Sequence, residues 1–139
     1  MEEGGASGVG DVLAVVGWQL AISLGVGVGA TLLGLPGDWA ALVGLILGAQ
    51  LAVRTRPVLA ERALHRGVAA RCSGAHVAIS AVAMVGVGPA FFEEQGMATE
   101  AYVPTLAVGL ALTFAVAYGL SLIGLRLGAR TRPPSAPES

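Results

Sequence analysis

The chain has 139 residues, of which 55% are hydrophobic and 12% are charged, with a formal net charge of −1. Soluble globular domains carry charge on about a quarter of their residues, so this composition excludes an ordinary soluble domain. The single cysteine excludes an intramolecular disulfide. Lysine is absent and Ala, Gly, Val and Leu dominate, a composition that we associate with GC-rich coding in a prokaryote.

Four apolar stretches follow one another along the chain, and each predicts a membrane-spanning helix. They cover residues 12–35, 39–53, 73–92 and 101–125. About 20 apolar residues cross the hydrocarbon core of a bilayer, so the second stretch is short and needs anchors at its ends, which Trp39 and Arg54 can provide. The turn residues at 36–38 predict a tight hairpin between the first two helices. Residues 1–11 and 126–139 are predicted to be a cytoplasmic lead and tail.

The basic residues occur in only two places, the connection after the second predicted span and the C-terminus. They are Arg54, Arg56, Arg62, Arg66, Arg71, Arg126, Arg130 and Arg132. In the other two connections between spans, the charged residues are all acidic. Because arginine and lysine collect in cytoplasmic loops, this distribution predicts that both termini and the central connection are cytoplasmic. The expected location is the cytoplasmic (inner) membrane of a prokaryote.

The basic loop 54–72 joins the second and third predicted spans. Pro57 suits the first position of a helix, so residues 58–71 can form a short amphipathic helix on the membrane surface. The same residues can instead extend the second or third spanning helix, and the sequence leaves both arrangements open. We predict that the loop binds anionic lipid headgroups or a partner protein; its candidate residues are Arg54, Arg56, Arg62, Arg66 and Arg71. The loop lacks interleaved aromatic residues, so nucleic acid is not an expected partner.

Small residues recur at four-residue spacing in the predicted spans. This spacing lets membrane helices approach closely, because small side chains do not hold the backbones apart. We predict that these residues pack the helices of one chain or join two chains in a homodimer. They are Gly25, Gly29, Gly44, Gly48, Ala111, Ala115 and Gly119. A further pair, Gly124 and Gly128, lies at the predicted membrane edge.

Four polar side chains fall at a similar depth, in the half of the spans nearest the arginines. They are Gln19, Gln50, His76 and Tyr118, with Ser80 and Ser121 nearby. A polar side chain inside a bilayer costs free energy unless it is paired. The sequence therefore predicts a polar layer, which either fixes helix packing through hydrogen bonds or forms a small pocket open to the cytoplasm.

Groups that carry common chemistry are missing from the predicted spans. No Asp, Glu, Lys or Arg lies within them, so a proton or ion relay of the usual kind is not expected. His65 and His76 belong to no cluster of cysteines or carboxylates at metal-ligand spacing, so we expect neither a metal nor another cofactor. No Ser–His–Asp or Cys–His arrangement can be defended, and we predict that the protein is not an enzyme.

The basic loop also carries the sequence Arg56-Pro57 followed by Glu61-Arg62. This order resembles a pattern in the ABZJ-type family of small bacterial membrane proteins, where a basic turn after the second span precedes Arg-Pro and then Glu-Arg. The resemblance covers this loop and the four-span architecture. It implies a chain of four spans and about this length, and it implies no activity because the family has no established one.

These observations together predict a single-domain, all-α protein. The expected fold is a four-helix transmembrane bundle with a short amphipathic segment between helices 2 and 3. The predicted function is that of a non-enzymatic accessory or scaffold component, which interacts through helix packing and its basic cytoplasmic loop. The alternative is a small homo-oligomeric transporter or pore built around the polar layer.

Overall fold

The computed structural model of the protein describes residues 8–131, and four α-helices make up most of this range. They are α1 (Val9–Leu32), α2 (Ala40–Thr55), α3 (His65–Glu94) and α4 (Tyr102–Thr131). Among the described residues, three helical stretches are long and apolar enough to cross a membrane: Val9–Leu32, Arg62–Glu94 and Thr99–Thr131. The helix α2 is apolar but shorter. The predicted all-α architecture with four helices is confirmed.

The helices alternate in direction, so their termini form two layers. The first layer, the arginine end, comprises the starts of α1 and α3 and the ends of α2 and α4. It carries Arg54, Arg56, Arg62, Arg66, Arg71, Arg126 and Arg130. The second layer, the acidic end, carries Asp38, Glu93, Glu94 and Glu100. Around the bundle, α1 packs on α2, α2 on α4 and α4 on α3, while α1 meets α3 over a shorter stretch.

The buried core lies in the half of the bundle nearest the arginine end. Its fully or almost fully buried members come from all four helices and the loop between α2 and α3. They are Val15, Val16, Ala49, Ala52, Val53, Leu59, Val68, Ala69, Cys72 and Leu125. Towards the acidic end the helices are mostly exposed, with Ala30, Ala40 and Phe92 among the few buried side chains there. The four helices are therefore packed together tightly at one end only.

Both helical hairpins turn at the acidic end in the same way. After α1, Gly34 adopts a φ of 72°, and the N–H of Leu35 donates to the carbonyl of Ala30. After α3, Gly96 adopts a φ of 69°, and the N–H of Met97 donates to the carbonyl of Phe92. This is the Schellman arrangement, in which glycine takes a left-handed conformation that other residues disfavour. The first helix thus ends before the turn predicted at 36–38.

The loop between α2 and α3 differs from the continuous helix over 58–71 that the sequence allows. Two short 3₁₀ turns, Pro57–Ala60 and Arg62–Leu64, are separated by Glu61, whose backbone is extended (φ −72°, ψ 115°). The α-helix resumes at His65. An amphipathic surface helix is therefore not formed, and the second half of the loop instead extends α3, as in the alternative arrangement. The interruption lets Leu59 turn into the core, where it is fully buried.

The helices also run closer to the chain ends than the predicted spans. An N-terminal turn forms around Gly8, whose N–H donates to Asp11 Oδ2 at 3.1 Å, and α1 begins at Val9. At the other end, α4 continues through Thr131, so Arg126 and Arg130 lie on a helix. The rest of the predicted lead and tail, residues 1–7 and 132–139, lies outside the described residues.

Candidate functional site

A hydrogen-bonded polar cluster, formed by Gln19, His76, Ser121 and the carbonyl of Leu45, lies inside the bundle. Gln19 Nε2 donates to Leu45 O at 3.0 Å and to Ser121 Oγ at 2.7 Å. Gln19 Oε1 lies 2.9 Å from His76 Nε2. Gln19 and Ser121 are fully buried. One side chain of α1 therefore bonds to each of the other three helices, and its amide has both ends satisfied.

The direction of these bonds fixes the proton on His76. Because Gln19 Nε2 is used as a donor twice, its Oε1 faces His76 and can only accept. His76 Nε2 must then carry a hydrogen, and in the neutral ring Nδ1 is left as an acceptor. His76 is half-buried and also lines a cavity beside the cluster.

Two residues predicted for the polar layer, Gln50 and Tyr118, do not join the hydrogen bonds of the polar cluster among residues 8–131. The Tyr118 ring stacks on that of Phe114 with 6.3 Å between centroids and packs against the core. The backbone of Gln50 faces Gly128 on α4, since a Cβ on that glycine would lie 3.1 Å from Gln50 Cα. The structure thus brings together Gln19, His76 and Ser121.

Close helix contact holds Gln19 in place. Gly44 and Gly48 lie against α1, and no larger residue fits at either position. A Cβ on Gly44 would lie 2.8 Å from Gln19 O, and one on Gly48 would lie 2.5 Å from Gln19 N. The backbones of α1 and α2 are therefore nearly in contact beside the polar cluster, which is why Gln19 reaches a carbonyl of α2 directly.

A second close contact joins α2 and α4. A Cβ on Gly124 would lie 2.7 Å from Ala49 Cβ, and one on Gly128 would lie 3.0 Å from Val53 Cβ. The sequence predicts this pair at the membrane edge, and in the structure it packs α4 against α2 of the same chain.

The remaining predicted packing residues do not touch a neighbouring helix of this chain closely. A Cβ added at Gly25, Gly29 or Gly119 would meet no atom within 4 Å. Ala111 and Ala115 are exposed. These residues therefore face outwards or line open space, and the packing of one chain does not require their small size.

A partly open cavity of about 420 Å³ lies on the side of the polar cluster that faces the acidic end. All four helices line it, from His76 near the cluster to Ala41 in the first turn of α2. The buried core closes the opposite side of the cluster, towards the arginine end. The sequence allowed a polar pocket open towards the arginines, whereas this cavity extends the other way. Ser23 and Ser80 also belong to its lining.

The arginine end presents a surface held by buried side chains. Leu59 is fully buried, and His65, only 1% exposed, donates from Nε2 to Leu59 O at 2.9 Å. Arg56 forms an ion pair with Asp11 of α1, with 3.0 Å between Nη1 and Oδ1. The candidate arginines of the loop are exposed: Arg54, Arg56, Arg62, Arg66 and Arg71. The loop is thus held against the bundle by Leu59, His65 and the Arg56–Asp11 ion pair, while its arginine side chains remain exposed.

Replacing Leu59 with alanine tests whether this side chain holds the loop down. The change removes buried methyl groups from a fully enclosed site, so the loop should open more often. We expect trypsin to cleave the folded protein after Arg62 about tenfold faster, which corresponds to about 1.4 kcal/mol. Val58→Ala, at a half-buried neighbour, is the control and should change the rate much less. An unchanged rate for Leu59→Ala would show that other contacts hold the loop.

The burial of His65 and Leu59 could not be predicted from the sequence, because both follow a proline in a segment whose pattern is typical of a surface helix. The one sequence feature that marks these two buried residues is a leucine and a histidine six positions apart in a segment rich in arginine. Within residues 8–131, no group of three or more His, Cys, Asp or Glu side chains could hold a metal ion. One ring atom, His65 Nδ1, is buried without a hydrogen-bond partner.

Comparison of the chain with protein-family models, curated proteins and solved structures finds no match. The resemblance to the ABZJ-type family therefore stays a prediction. The residues that carry it, Arg56-Pro57 and Glu61-Arg62, begin the two 3₁₀ turns of the loop or immediately precede them.

Proposed function

We propose that the chain is a small, non-enzymatic accessory component of a prokaryotic cytoplasmic membrane, with its arginine end in the cytoplasm. Three helices of sufficient length and apolarity support the membrane setting. The separation of charge supports the orientation, because the described arginines share one end and the opposite end carries acidic residues. In this setting the exposed apolar side chains of the helices face lipid or other membrane helices.

One observation supports the proposed binding role: the basic loop is folded onto the bundle, and its arginine side chains are not buried in the fold. Leu59 and His65 anchor the loop from below, while Arg62 and Arg66 are exposed. A surface fixed in this way loses little conformational entropy on binding. Each basic side chain near an anionic surface contributes about 1 kcal/mol. The loop is therefore suited to bind acidic groups, either lipid headgroups or an acidic partner protein.

Replacing Arg62 and Arg66 together by glutamate tests this proposal. We expect the double variant to lose an acidic partner, or bound anionic lipid, while the bundle stays folded, because neither side chain is buried. Native mass spectrometry of protein purified gently from its host reports both kinds of complex. Arg62→Lys with Arg66→Lys is the matched control, since it keeps the charge and should keep most of the binding. A complex that survives the glutamate changes would count against the arginine surface.

A second candidate is a small transporter that works as a homo-oligomer. The cavity favours it, because the cavity is closed by the core towards the arginine end and extends towards the acidic end. A carrier has a site with this one-sided access in each of its states. In the same mass-spectrometry experiment, a homo-oligomer without any other protein would move this candidate ahead of the accessory role.

A further inference from the structure

The cavity beside the polar cluster contains hydroxyl groups that the fold does not use. Ser23 and Ser80 line it. Among residues 8–131 neither hydroxyl takes part in a hydrogen bond, and neither oxygen is fully enclosed by protein. In contrast, the third hydroxyl of the lining, on Thr113, donates to the carbonyl of Gly109 in its own helix at 2.9 Å. Two hydroxyl-bearing residues thus line an apolar cavity without a hydrogen-bond partner, which costs free energy unless something bonds to them. Of the two, Ser23 also places its Oγ against Gly44 of α2, so Ser80 is the more open hydroxyl.

His76 adds a third polar group to the same space. Its Nε2 is held by Gln19, so the neutral ring leaves Nδ1 as an acceptor. Because Gln19 is fixed by two other hydrogen bonds, the ring is held in a defined orientation. The polar part of the cavity is therefore preorganised at its end nearest the cluster.

The rest of the lining defines what could fill the cavity. The walls are apolar, with leucine and valine from three helices: Leu20, Leu42, Leu45, Leu112 and Val116. No charged side chain belongs to the lining, so a charged molecule would lose its hydration without gaining a counter-charge. The volume of about 420 Å³ falls within the range of about 300–1,000 Å³ that small-molecule sites occupy.

We propose that this cavity binds an uncharged amphiphile with an apolar body and a single hydroxyl or carbonyl head. The head lies between Ser23, Ser80 and His76, and the body lies against the apolar walls towards the acidic end. Such a molecule can enter from the membrane as a neutral lipid or from solution as a small alcohol or ketone. The site does not include the basic loop, so the tests of this site and of the accessory function proposed above are independent.

Photolabelling of the protein in nanodiscs tests the site, with 1-octanol carrying a diazirine as the probe. Peptide mass spectrometry should find the adduct on residues that line the cavity. Unlabelled 1-octanol should compete about fivefold better than octane, which lacks the head, because one net hydrogen bond changes affinity by about that factor. Octanoate, which carries a charge, should compete poorly. Equal competition by octanoate, or adducts spread evenly over the helices, would overturn the proposal.

Variants separate the cavity from the lipid-facing surface. Val116→Trp should fill the cavity and abolish labelling, whereas Val108→Trp, at an exposed position of the same helix that does not line it, should not. Ser80→Ala should weaken competition by 1-octanol about fivefold. Thr113→Val is the matched control, because that hydroxyl is already bonded within its helix, and it should leave competition unchanged. Labelling that persists in Val116→Trp would overturn the proposal.

The source of the natural occupant follows from what the purified protein retains. Organic extraction followed by mass spectrometry that yields a neutral alcohol or ketone, lost in Val116→Trp and retained in Val108→Trp, supports entry from the membrane. If the extract contains no such molecule but the probe labels the cavity as above, the result supports a ligand taken from solution.

Discussion

Replacing Gly48 with alanine is expected to lower the free energy of unfolding by about 3 kcal/mol. The added Cβ would overlap the backbone of Gln19, lying 2.5 Å from its N. A backbone cannot move aside as a flexible side chain can, so α1 and α2 must separate. That separation also pulls Gln19 away from Leu45 O, to which it donates. The loss can be measured in mild detergent by titration with SDS, following the folded fraction.

The matched control is Gly25→Ala, in another glycine pair with the same four-residue spacing. A Cβ at Gly25 would meet no atom within 4 Å, so no clash opposes the better helix propensity of alanine, which in soluble helices is about 1 kcal/mol. The stability of Gly25→Ala should therefore be unchanged or slightly raised. If Gly25→Ala proved as damaging as Gly48→Ala, its face would have to be covered, for example by a second copy of the chain.

This contrast shows what spacing alone can predict about helix packing. The sequence identifies small residues that permit close approach, and Gly44 and Gly48 are indeed used in that way. It cannot separate them from Gly25 and Gly29, because in a membrane protein both the inner and the outer faces of a helix are apolar. The face that packs depends on tertiary contacts that no local pattern records.

Prediction of the polar layer from sequence is limited in a similar way. The depth of a residue in a span follows from the constant rise of a helix, and depth correctly groups Gln19 with His76 and Ser121. The direction in which a side chain points depends on how each helix is rotated in the bundle. Gln50 and Tyr118 are at a suitable depth but, among residues 8–131, do not join the hydrogen bonds of the polar cluster. Ser23, which lines the cavity, lies one turn beyond the predicted layer.

The loop between α2 and α3 could not be resolved from sequence for a different reason. Arginines and small apolar residues alternate there in a way that suits a surface helix, and Pro57 can begin either kind of helix. The outcome depends on burial of Leu59 and on the hydrogen bond from His65 to its carbonyl. Burial of Leu59 requires the assembled end of the bundle, and the hydrogen bond joins His65 to a carbonyl six residues earlier, so neither follows from a helical pattern.

Replacing Gln19 with leucine is expected to lower the free energy of unfolding by about 2 kcal/mol, since hydrogen bonds between membrane helices contribute about 0.6 kcal/mol each and sometimes more. The change removes three bonds at once and leaves the Nε2–H of His76 without its acceptor. Leucine fits the volume of the site closely, so most of the loss should come from the unpaired polar groups. SDS titration again gives the magnitude.

A double-mutant cycle tests whether the loss of stability in Gln19→Leu comes from the unpaired His76. In a His76→Leu background the histidine can no longer be left unpaired, so Gln19→Leu should cost about 1 kcal/mol less than it does in the native chain. Tyr118→Phe is the matched second background. Its hydroxyl is outside the hydrogen bonds of the polar cluster, so the two changes should add within about 0.5 kcal/mol. Coupling to Tyr118 as strong as that to His76 would mean that the polar layer includes Tyr118 in the membrane, as the sequence first suggested. Coupling to His76 alone would establish that one side chain of α1 ties α3 to the rest of the bundle at the closed end of the cavity.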